Sequence, residues 1–252
     1  MKLKSLALLA GLSAAAFSAQ ASLVSATSDD PGNPNLQSVL DGITTGGPSS
    51  VDVYNDYLDD GLDSYWDITA TGGSVSTFVI EIAGNSASNT FGIYERNNHS
   101  NYVELFSGAD SDAANSQVTL SFLLDGTVRV NGVSSGTFST TNFGYYLGSE
   151  TNPANEPVFY SDSSLNTDGS DQMVAYQGTN TDDVQIAGFA GGLWTDNEFI
   201  LAWEDLLYAN SDQDFNDLVV MVESVMPVPE PGTLALLGLG LVGLGAARRR
   251  SA

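Results

Sequence analysis

The sequence predicts an all-β domain, either a β-sandwich or a jelly roll, and two features support this prediction. From Val75 onward, short runs rich in β-branched and aromatic residues alternate with clusters of Gly, Asn, Asp and Ser. The chain also contains 10 Tyr, 11 Phe and 3 Trp, which argue against disorder and supply a packed core. We expect strands at 77–82, 90–94, 102–106, 117–124, 127–131, 143–147, 157–160, 173–176, 184–189, 198–203 and 218–223. Strands at this spacing favour packed antiparallel sheets over a helix-covered parallel sheet.

The strongest local hairpin signal is Asp125-Gly126, which separates two of these runs. Before the strands, apolar residues at helical spacing follow Pro34 and predict a short helix ending near Ile43. The acidic stretch 52–63 contains interleaved apolar residues, so it is either a second short helix or a loop. Residues 22–74 are therefore interpreted as an acidic N-terminal segment, and 75–226 as the β-sandwich domain.

The charge of the chain is strongly negative, at −24 for 252 residues. All but one of its 31 acidic residues lie between Ser22 and Met226, together with only two basic residues, Arg96 and Arg129. This balance opposes binding to nucleic acid or other polyanions and favours cations. The absence of Cys excludes disulfides, thiol catalysis and cysteine-ligated metals.

The N-terminus has the composition of a secretory signal peptide. Lys2 and Lys4 precede an apolar stretch, and Ala19 and Ala21 provide a small-x-small site for signal peptidase. We expect residues 1–21 to be removed.

The C-terminal segment 227–252 combines Pro229-Glu230-Pro231, an apolar run over 233–247 and the basic residues Arg248, Arg249 and Arg250. Prolines interrupt the preceding structure, the run can enter a bilayer as a single helix, and the arginines remain on the cytoplasmic side. This order resembles the PEP-CTERM sorting signal of Gram-negative bacteria that make exopolysaccharide. The resemblance implies processing by an exosortase, transient residence in the inner membrane, and delivery to the cell surface or extracellular matrix.

A permanent tail anchor is the alternative to a sorting signal. At about 1.5 Å per residue, a helix over 233–247 would be about 22 Å long, against a hydrocarbon core of about 30 Å. Four glycines within the run weaken it further as a helix. A transient sorting segment is therefore the favoured interpretation.

The densest group of oxygen ligands lies near the end of the domain, at Glu204, Asp205, Asp212, Asp214, Asn216 and Asp217. Asp212, Asp214 and Asn216 alternate, so a curled loop can direct their side chains at one hard cation, for which Ca²⁺ is the natural candidate. The alternative is an Asx-rich turn that caps the last strand without an ion.

A weaker candidate for calcium comprises Asn166, Asp168 and Asp171, beside Gly169. Ser164 stands where a calcium loop requires Asp, so a plain surface turn is the alternative.

The segment from Glu204 to Asp217, followed by an apolar strand, resembles the signature of domain of unknown function 4114, found in secreted bacterial proteins. The matching residues are Glu204, Asp205, Leu206, Asp212, Asp214, Phe215, Asn216 and Asp217. Shorter upstream pieces also look like that family.

No catalytic motif stands out in the sequence, and we predict no catalytic residue. His99 is the single histidine and lies among polar residues, where an exposed loop is expected. The predicted function is therefore a secreted, calcium-stabilised, non-enzymatic protein with a structural or adhesive role in the exopolysaccharide matrix or biofilm. A carbohydrate-binding module or glycoside-active enzyme acting on that polysaccharide is the alternative.

Overall fold

The computed structural model describes residues 23, 34–69, 80–84, 89–107, 117–149 and 157–229. Within them the helices are α1 (Leu36–Ile43) and α2 (Asp60–Asp63). The strands are β1 (Thr44–Thr45), β2 (Trp66–Ile68), β3 (Ile80–Gly84), β4 (Asn89–Glu95), β5 (Asn98–Ser107), β6 (Leu120–Phe122), β7 (Thr127–Val130), β8 (Val133–Thr137), β9 (Phe143–Ser149), β10 (Pro157–Tyr160), β11 (Met173–Gln177), β12 (Asp183–Val184), β13 (Gly192–Leu193), β14 (Glu198–Trp203), β15 (Leu218–Glu223) and β16 (Val225–Pro227).

Two antiparallel sheets pack face to face, so the all-β prediction is confirmed. One sheet has the order β16-β2-β9-β4-β5 with β10 paired to β9, and the other has the order β11-β14-β15-β3. Alternate side chains of both sheets meet in one core, in which Trp66 contacts Phe199 edge to face at 4.8 Å between ring centroids.

The other face of the four-stranded sheet is buried as well. Its side chains, which include Val174, Ala202 and Met221, pack against α1 and against Trp194. Because β11, β14 and β15 are covered on both faces, their residues read as continuous apolar runs rather than alternating ones. Asn35 caps the N-terminus of α1, and its side chain accepts a hydrogen bond from Ser38 N at 2.8 Å.

A third sheet contains β6, β7 and β8. The predicted hairpin is present, and Asp125-Gly126 lies in the connection 123–126 between β6 and β7. Gly126 N donates to Leu123 O at 3.0 Å, and Gly126 has a φ of +84° whereas Asp125 is not in the left-handed region, so the turn is longer than a two-residue Asp-Gly turn. The next strand, β8, was not predicted, because its sequence is rich in Ser and Gly and its residues are mostly exposed.

Three local expectations differ from the structure. The predicted strand 117–124 is limited to β6, because Leu123 O accepts from Gly126 N at 3.0 Å and already belongs to the turn. The predicted strand 184–189 is limited to β12, because Ile186 and Phe189 close a turn around Gly188, whose φ is +89°. His99 lies in β5 rather than in a loop, although it is exposed, and its ring contacts that of Tyr160 at 5.7 Å. The first residues of the predicted strand 77–82 lie outside the described residues.

The N-terminal segment contributes β2 to the six-stranded sheet, which is called the main sheet below. This strand pairs with β16, and Trp66 is in register with Phe143 of β9. The main sheet therefore has the last described strand, β16, at one edge. Among the described residues, no helix is both long and apolar enough to cross a membrane. Both the predicted signal peptide and the predicted helix over 233–247 lie outside them.

Candidate metal centre

The candidate centre lies in the long loop between β14 and β15. These strands pair along their whole length, from Glu198 opposite Glu223 to Trp203 opposite Leu218. Beyond this last pair, Asp217 N donates to Trp203 O at 3.2 Å and closes the loop at its base. The loop from 204 to 217 therefore starts and ends at one fixed point of the sheet.

The shape of the loop depends on two residues in the left-handed region of backbone space. Gln213 has a φ of 63° and Phe215 a φ of 55°, and each such conformation costs on the order of 1 kcal/mol or more for a residue other than glycine. Phe215 is fully buried in the core beneath α1, which anchors the loop. Asp212 and Asp214 alternate with these two residues. Their side chains are therefore directed towards Glu204, at the start of the loop.

Three carboxylates converge there. Glu204, Asp212 and Asp214 each offer one oxygen atom, and these atoms lie within 4.8 Å of one another. Calcium binds its oxygen ligands at about 2.3–2.6 Å, so two ligands on opposite sides of one ion are about 5 Å apart. Glu204 and Asp214 are buried, whereas Asp212 is exposed and leaves the centre accessible from solvent. The residues present therefore fit a calcium ion.

Glu204 is the most informative of the three. Its side chain is fully buried, Oε1 accepts a hydrogen bond from Phe215 N at 2.7 Å, and Oε2 has no hydrogen-bond partner. Burial raises the pKa of this carboxyl, the amide of Phe215 opposes the shift, and the charge of Asp212 adds to it. A buried carboxylate oxygen without a partner is costly unless a proton or a cation is bound.

Gln172 lies beside Glu204 on the neighbouring strand, and it is not among the site residues predicted from the sequence. Met173 is in register with Trp203, and Glu204 N donates to Gln172 O at 3.1 Å, so Gln172 and Glu204 form the next cross-strand pair. Strand alternation puts both side chains on the face that carries Val174 and Ala202. The Gln172 amide is fully buried, and neither its oxygen nor its nitrogen has a hydrogen-bond partner. A lone Gln before an apolar strand carries no sequence signal for this role.

The other predicted ligands support the loop instead of joining the triad. Asn216 donates from its side chain to Asp214 Oδ2 at 2.6 Å and from its backbone to Asp214 Oδ1 at 3.1 Å. Its side chain also reaches Pro34 O at 3.3 Å, beside the start of α1.

Asp205 and Asp217 form a separate pair. Asp205 N donates to Asp217 Oδ2 at 3.0 Å, and Asp205 Oδ2 accepts from Asn89 at 3.1 Å. Burial raises the pKa of Asp217 to about 7, and the negative charges of Asp205 and Glu204 add to this increase.

The three residues of the weaker calcium candidate each make hydrogen bonds with different partners. Asn166 uses its side chain to accept from Tyr160 N and to donate to the carbonyls of Tyr160 and Ser170. Asp168 is exposed and accepts from Ser170 N at 3.0 Å. Asp171 is buried at the start of β11 and accepts from Met173 N at 3.2 Å.

The described chain ends within the predicted processing signal. After β16, Val228 N donates to Tyr65 O at 2.7 Å, and Pro229 is the last described residue. The remaining predicted sorting and cleavage residues, Glu230, Pro231, Arg248, Arg249, Arg250, Ala19 and Ala21, lie outside the described residues.

Comparison with known families identifies two segments of the chain. Residues 133–225 match the family described as Domain of unknown function (DUF4114), and residues 227–250 match the PEP-CTERM protein-sorting motif. This chain is a PEP-CTERM protein with a DUF4114 domain. Neither the curated proteins nor the solved structures contain a match to it. The matched domain begins at β8 and contains Gln172 together with the whole carboxylate triad.

The sorting motif makes this PEP-CTERM protein an exosortase substrate. Proteins with this motif are exported and are held transiently in the membrane before processing.

Proposed function

We propose that this PEP-CTERM protein is a non-enzymatic structural or adhesive component of the cell surface or exopolysaccharide matrix, with a β domain stabilised by calcium. The observation that carries the calcium part is the fully buried Glu204, which has an Oε2 without a hydrogen-bond partner and belongs to a carboxylate triad with Asp212 and Asp214. Gln172 is fully buried beside Glu204 and would offer a fourth oxygen. Calcium would neutralise the triad and tie the end of β14 to the start of β15.

Export supports calcium as the occupant. Oxygen-only sites in extracellular modules bind Ca²⁺ with dissociation constants of about 10⁻⁴–10⁻³ M, a range suited to an environment richer in calcium than the cytoplasm. The domain has 30 acidic residues against two basic ones between Ser22 and Met226, so its own side chains cannot neutralise the loop. The same negative charge suits calcium bridging between this protein and acidic polysaccharide.

The deciding experiment compares two double variants of the full chain in detergent. Asp212→Asn with Asp214→Asn removes two triad charges, while Asp183→Asn with Asp196→Asn removes two exposed charges elsewhere. At 100 times its dissociation constant, calcium should stabilise the wild type by about 2.7 kcal/mol, equivalent to about 5–10 °C in melting temperature.

The triad variant should lose most of this increment, and the control should keep it at equal ionic strength. Equal responses of the two variants, or calorimetry without a saturable calcium site, would refute the calcium assignment.

A second candidate function is action on the matrix polysaccharide, and one observation favours it. Glu198 and Glu223 are cross-strand partners beside a cleft of about 220 Å³, which is otherwise lined mainly by apolar residues such as Phe189 and Leu193. Burial raises the pKa of Glu223 to about 7, and the charge of Glu198 adds to the increase. Glycoside hydrolysis uses two carboxyl groups with different pKa values.

Incubation with purified matrix polysaccharide separates the two functions. A binding or structural protein should be retained on the polysaccharide without releasing reducing ends. Release of reducing ends that is lost in Glu223→Gln would establish the enzyme.

The sorting part has its own test in the native host. Replacement of Pro229, Glu230 and Pro231 by alanine should leave the protein in the inner-membrane fraction, because the exosortase would no longer process it. Unchanged delivery to the surface or matrix would show that the tripeptide is not the processing signal.

A further inference from the structure

The cleft beside Glu198 and Glu223 combines apolar walls with a pair of like charges. Its lining includes Phe189, which is half-buried, and Leu193, which is 44% exposed. Residues directly opposed on antiparallel strands have Cβ atoms about 5 Å apart, where two like charges are destabilising. Glu198 Oε2 accepts a hydrogen bond from Thr195 N at 2.6 Å, which holds that carboxylate in place. The cleft is therefore complementary to a positive charge attached to an apolar group.

The domain has two basic side chains that could neutralise this pair, and both lie elsewhere. The guanidinium carbon of Arg96 is 4.5 Å from the centroid of the Tyr65 ring, in a cation–π contact. Arg129 belongs to β7 of the third sheet, where its charge lowers the pKa of Asp125. No lysine occurs between Ser22 and Met226. The cation that suits the cleft must therefore come from outside the molecule.

The hairpin between β6 and β7 carries the complementary groups at its tip. Leu124, in the turn, is fully exposed. Arg129 is the only exposed Lys or Arg between Ser22 and Met226, and its effect on the pKa of Asp125 places its charge near the turn. Asp125 is itself fully exposed, so water screens its attraction for Arg129. A lone exposed leucine is ordinary, but here it accompanies the only exposed cation of the domain.

The hairpin tip and the cleft lie on different sides of the domain. Val128 of the hairpin packs into the core between the two large sheets. Val184 and Ile186, which line the cleft, pack on the opposite face of the four-stranded sheet. One molecule therefore presents both surfaces at once. A contact between two different surfaces of identical chains is heterologous, and its repetition gives a chain or a ring.

We propose that the β6–β7 hairpin tip of one molecule docks into this cleft of a second copy, with Leu124 against the apolar walls and Arg129 between Glu198 and Glu223. The guanidinium group has five donors in a planar fork and can bind two carboxylates together. The strongly acidic domains repel each other, but at an ionic strength of 0.15 M this repulsion is screened beyond about 8 Å, whereas a partly buried pair is screened less. Copies of the protein would thus assemble head to tail, independently of the calcium site.

The test is self-association of the full chain in detergent, measured by sedimentation velocity over a series of protein concentrations. EDTA is present, so calcium cannot bridge the acidic domains. We expect the wild type to form assemblies that grow with concentration. Arg129→Glu reverses the charge of the hairpin tip, and Leu193→Arg places a positive charge at the cleft, so neither variant should associate by itself. Leu206→Arg, which changes another exposed leucine outside the cleft, is the matched control and should associate like the wild type.

A mixture of the two variants in equal amounts identifies the contact. Arg129→Glu retains an intact cleft, and Leu193→Arg retains an intact hairpin tip, so the mixture should regain association. Contacts through the apolar C-terminal run are common to all variants and cannot produce this pattern. Leu124→Asp should behave like Arg129→Glu, and it provides a second variant of the tip. A wild type that does not associate, variants that associate as it does, or a mixture that stays unassociated would each refute the proposal. Because EDTA is present throughout, failure of the calcium assignment would leave these results unchanged.

Discussion

Gln172 and Glu204 form a fully buried pair of opposed polar residues at one end of the four-stranded sheet. Their backbones are joined by the hydrogen bond from Glu204 N to Gln172 O, at 3.1 Å. Three of the four terminal polar atoms of these side chains have no hydrogen-bond partner. These partnerless polar atoms destabilise the calcium-free protein and could bind the ion in the calcium-bound one. Substitutions at the two residues should therefore raise the melting temperature in EDTA and weaken the response to calcium.

Glu204→Gln should stabilise the protein in EDTA and abolish most of its response to calcium. The variant removes a buried charge and keeps an oxygen that can accept from Phe215 N. Thermal melts with EDTA and with saturating calcium measure both effects. A variant that is less stable than the wild type in EDTA would show that the charge itself stabilises the loop.

Gln172→Leu should also raise the melting temperature in EDTA, since an unsatisfied buried amide costs about 1–3 kcal/mol. If Gln172 Oε1 contributes to the centre, the affinity for calcium should fall about tenfold or more. Calorimetric titration measures the affinity. An unchanged affinity would assign Gln172 to packing alone.

Glu223 should make the calcium-free protein less stable as the pH rises. Its pKa is about 7 in the folded protein, above its ordinary value of 4.5, so the folded state binds the proton more tightly than the unfolded state does. The contribution of Glu223 to stability is therefore fully present below about pH 4.5 and is lost as the pH rises towards 7. Glu223→Gln should lose less stability over this interval, as denaturant titrations in EDTA would measure. Identical pH profiles of variant and wild type would contradict the raised pKa.

Gly92→Ala should destabilise the main sheet by about 1–3 kcal/mol through overpacking. Gly92 faces Tyr146 across β4 and β9, and an added Cβ would lie 2.4 Å from Val103 O and 2.5 Å from the Tyr146 ring. Gly42→Ala is the matched control, because an added Cβ in α1 meets nothing within 4 Å and alanine favours a helix. Chemical denaturation should show opposite signs for the two variants. A neutral Gly92→Ala would mean that the tyrosine moves aside.

Much of the fold could be predicted from the sequence, because many strands and turns are marked by patterns within a few consecutive residues. Continuous apolar runs identified β14 and β15, and Asp125-Gly126 identified the turn between β6 and β7. The strand β8 was missed although Asn131-Gly132, which precedes it, is also a hairpin signal, with both residues at positive φ. Its Ser-rich sequence has low β-propensity, and pairing with β7 overrides that preference.

The candidate sites were less accessible from sequence. Alternation in the acidic loop pointed to Asp212 and Asp214, but it could not distinguish them from Asn216, which uses its amide to hold Asp214. In the sequence, Asp63 is one of several acidic residues in the stretch 52–63, and nothing distinguishes it from the others. Its burial depends on the approach of α2 to β11, across more than 100 residues of sequence, which no local pattern encodes.

The position of β16 at the edge of the sheet sets how far the folded body can stand from the bilayer. Val228 N donates a hydrogen bond to Tyr65 O, so the chain is held by the domain up to this residue. The apolar run of the sorting signal begins at Thr233, five residues later. Even a fully extended connection of this length spans only about 17 Å, similar to the radius of gyration of a domain of this size. An exosortase acting on this segment would therefore work in a narrow gap between the bilayer and the strongly acidic domain.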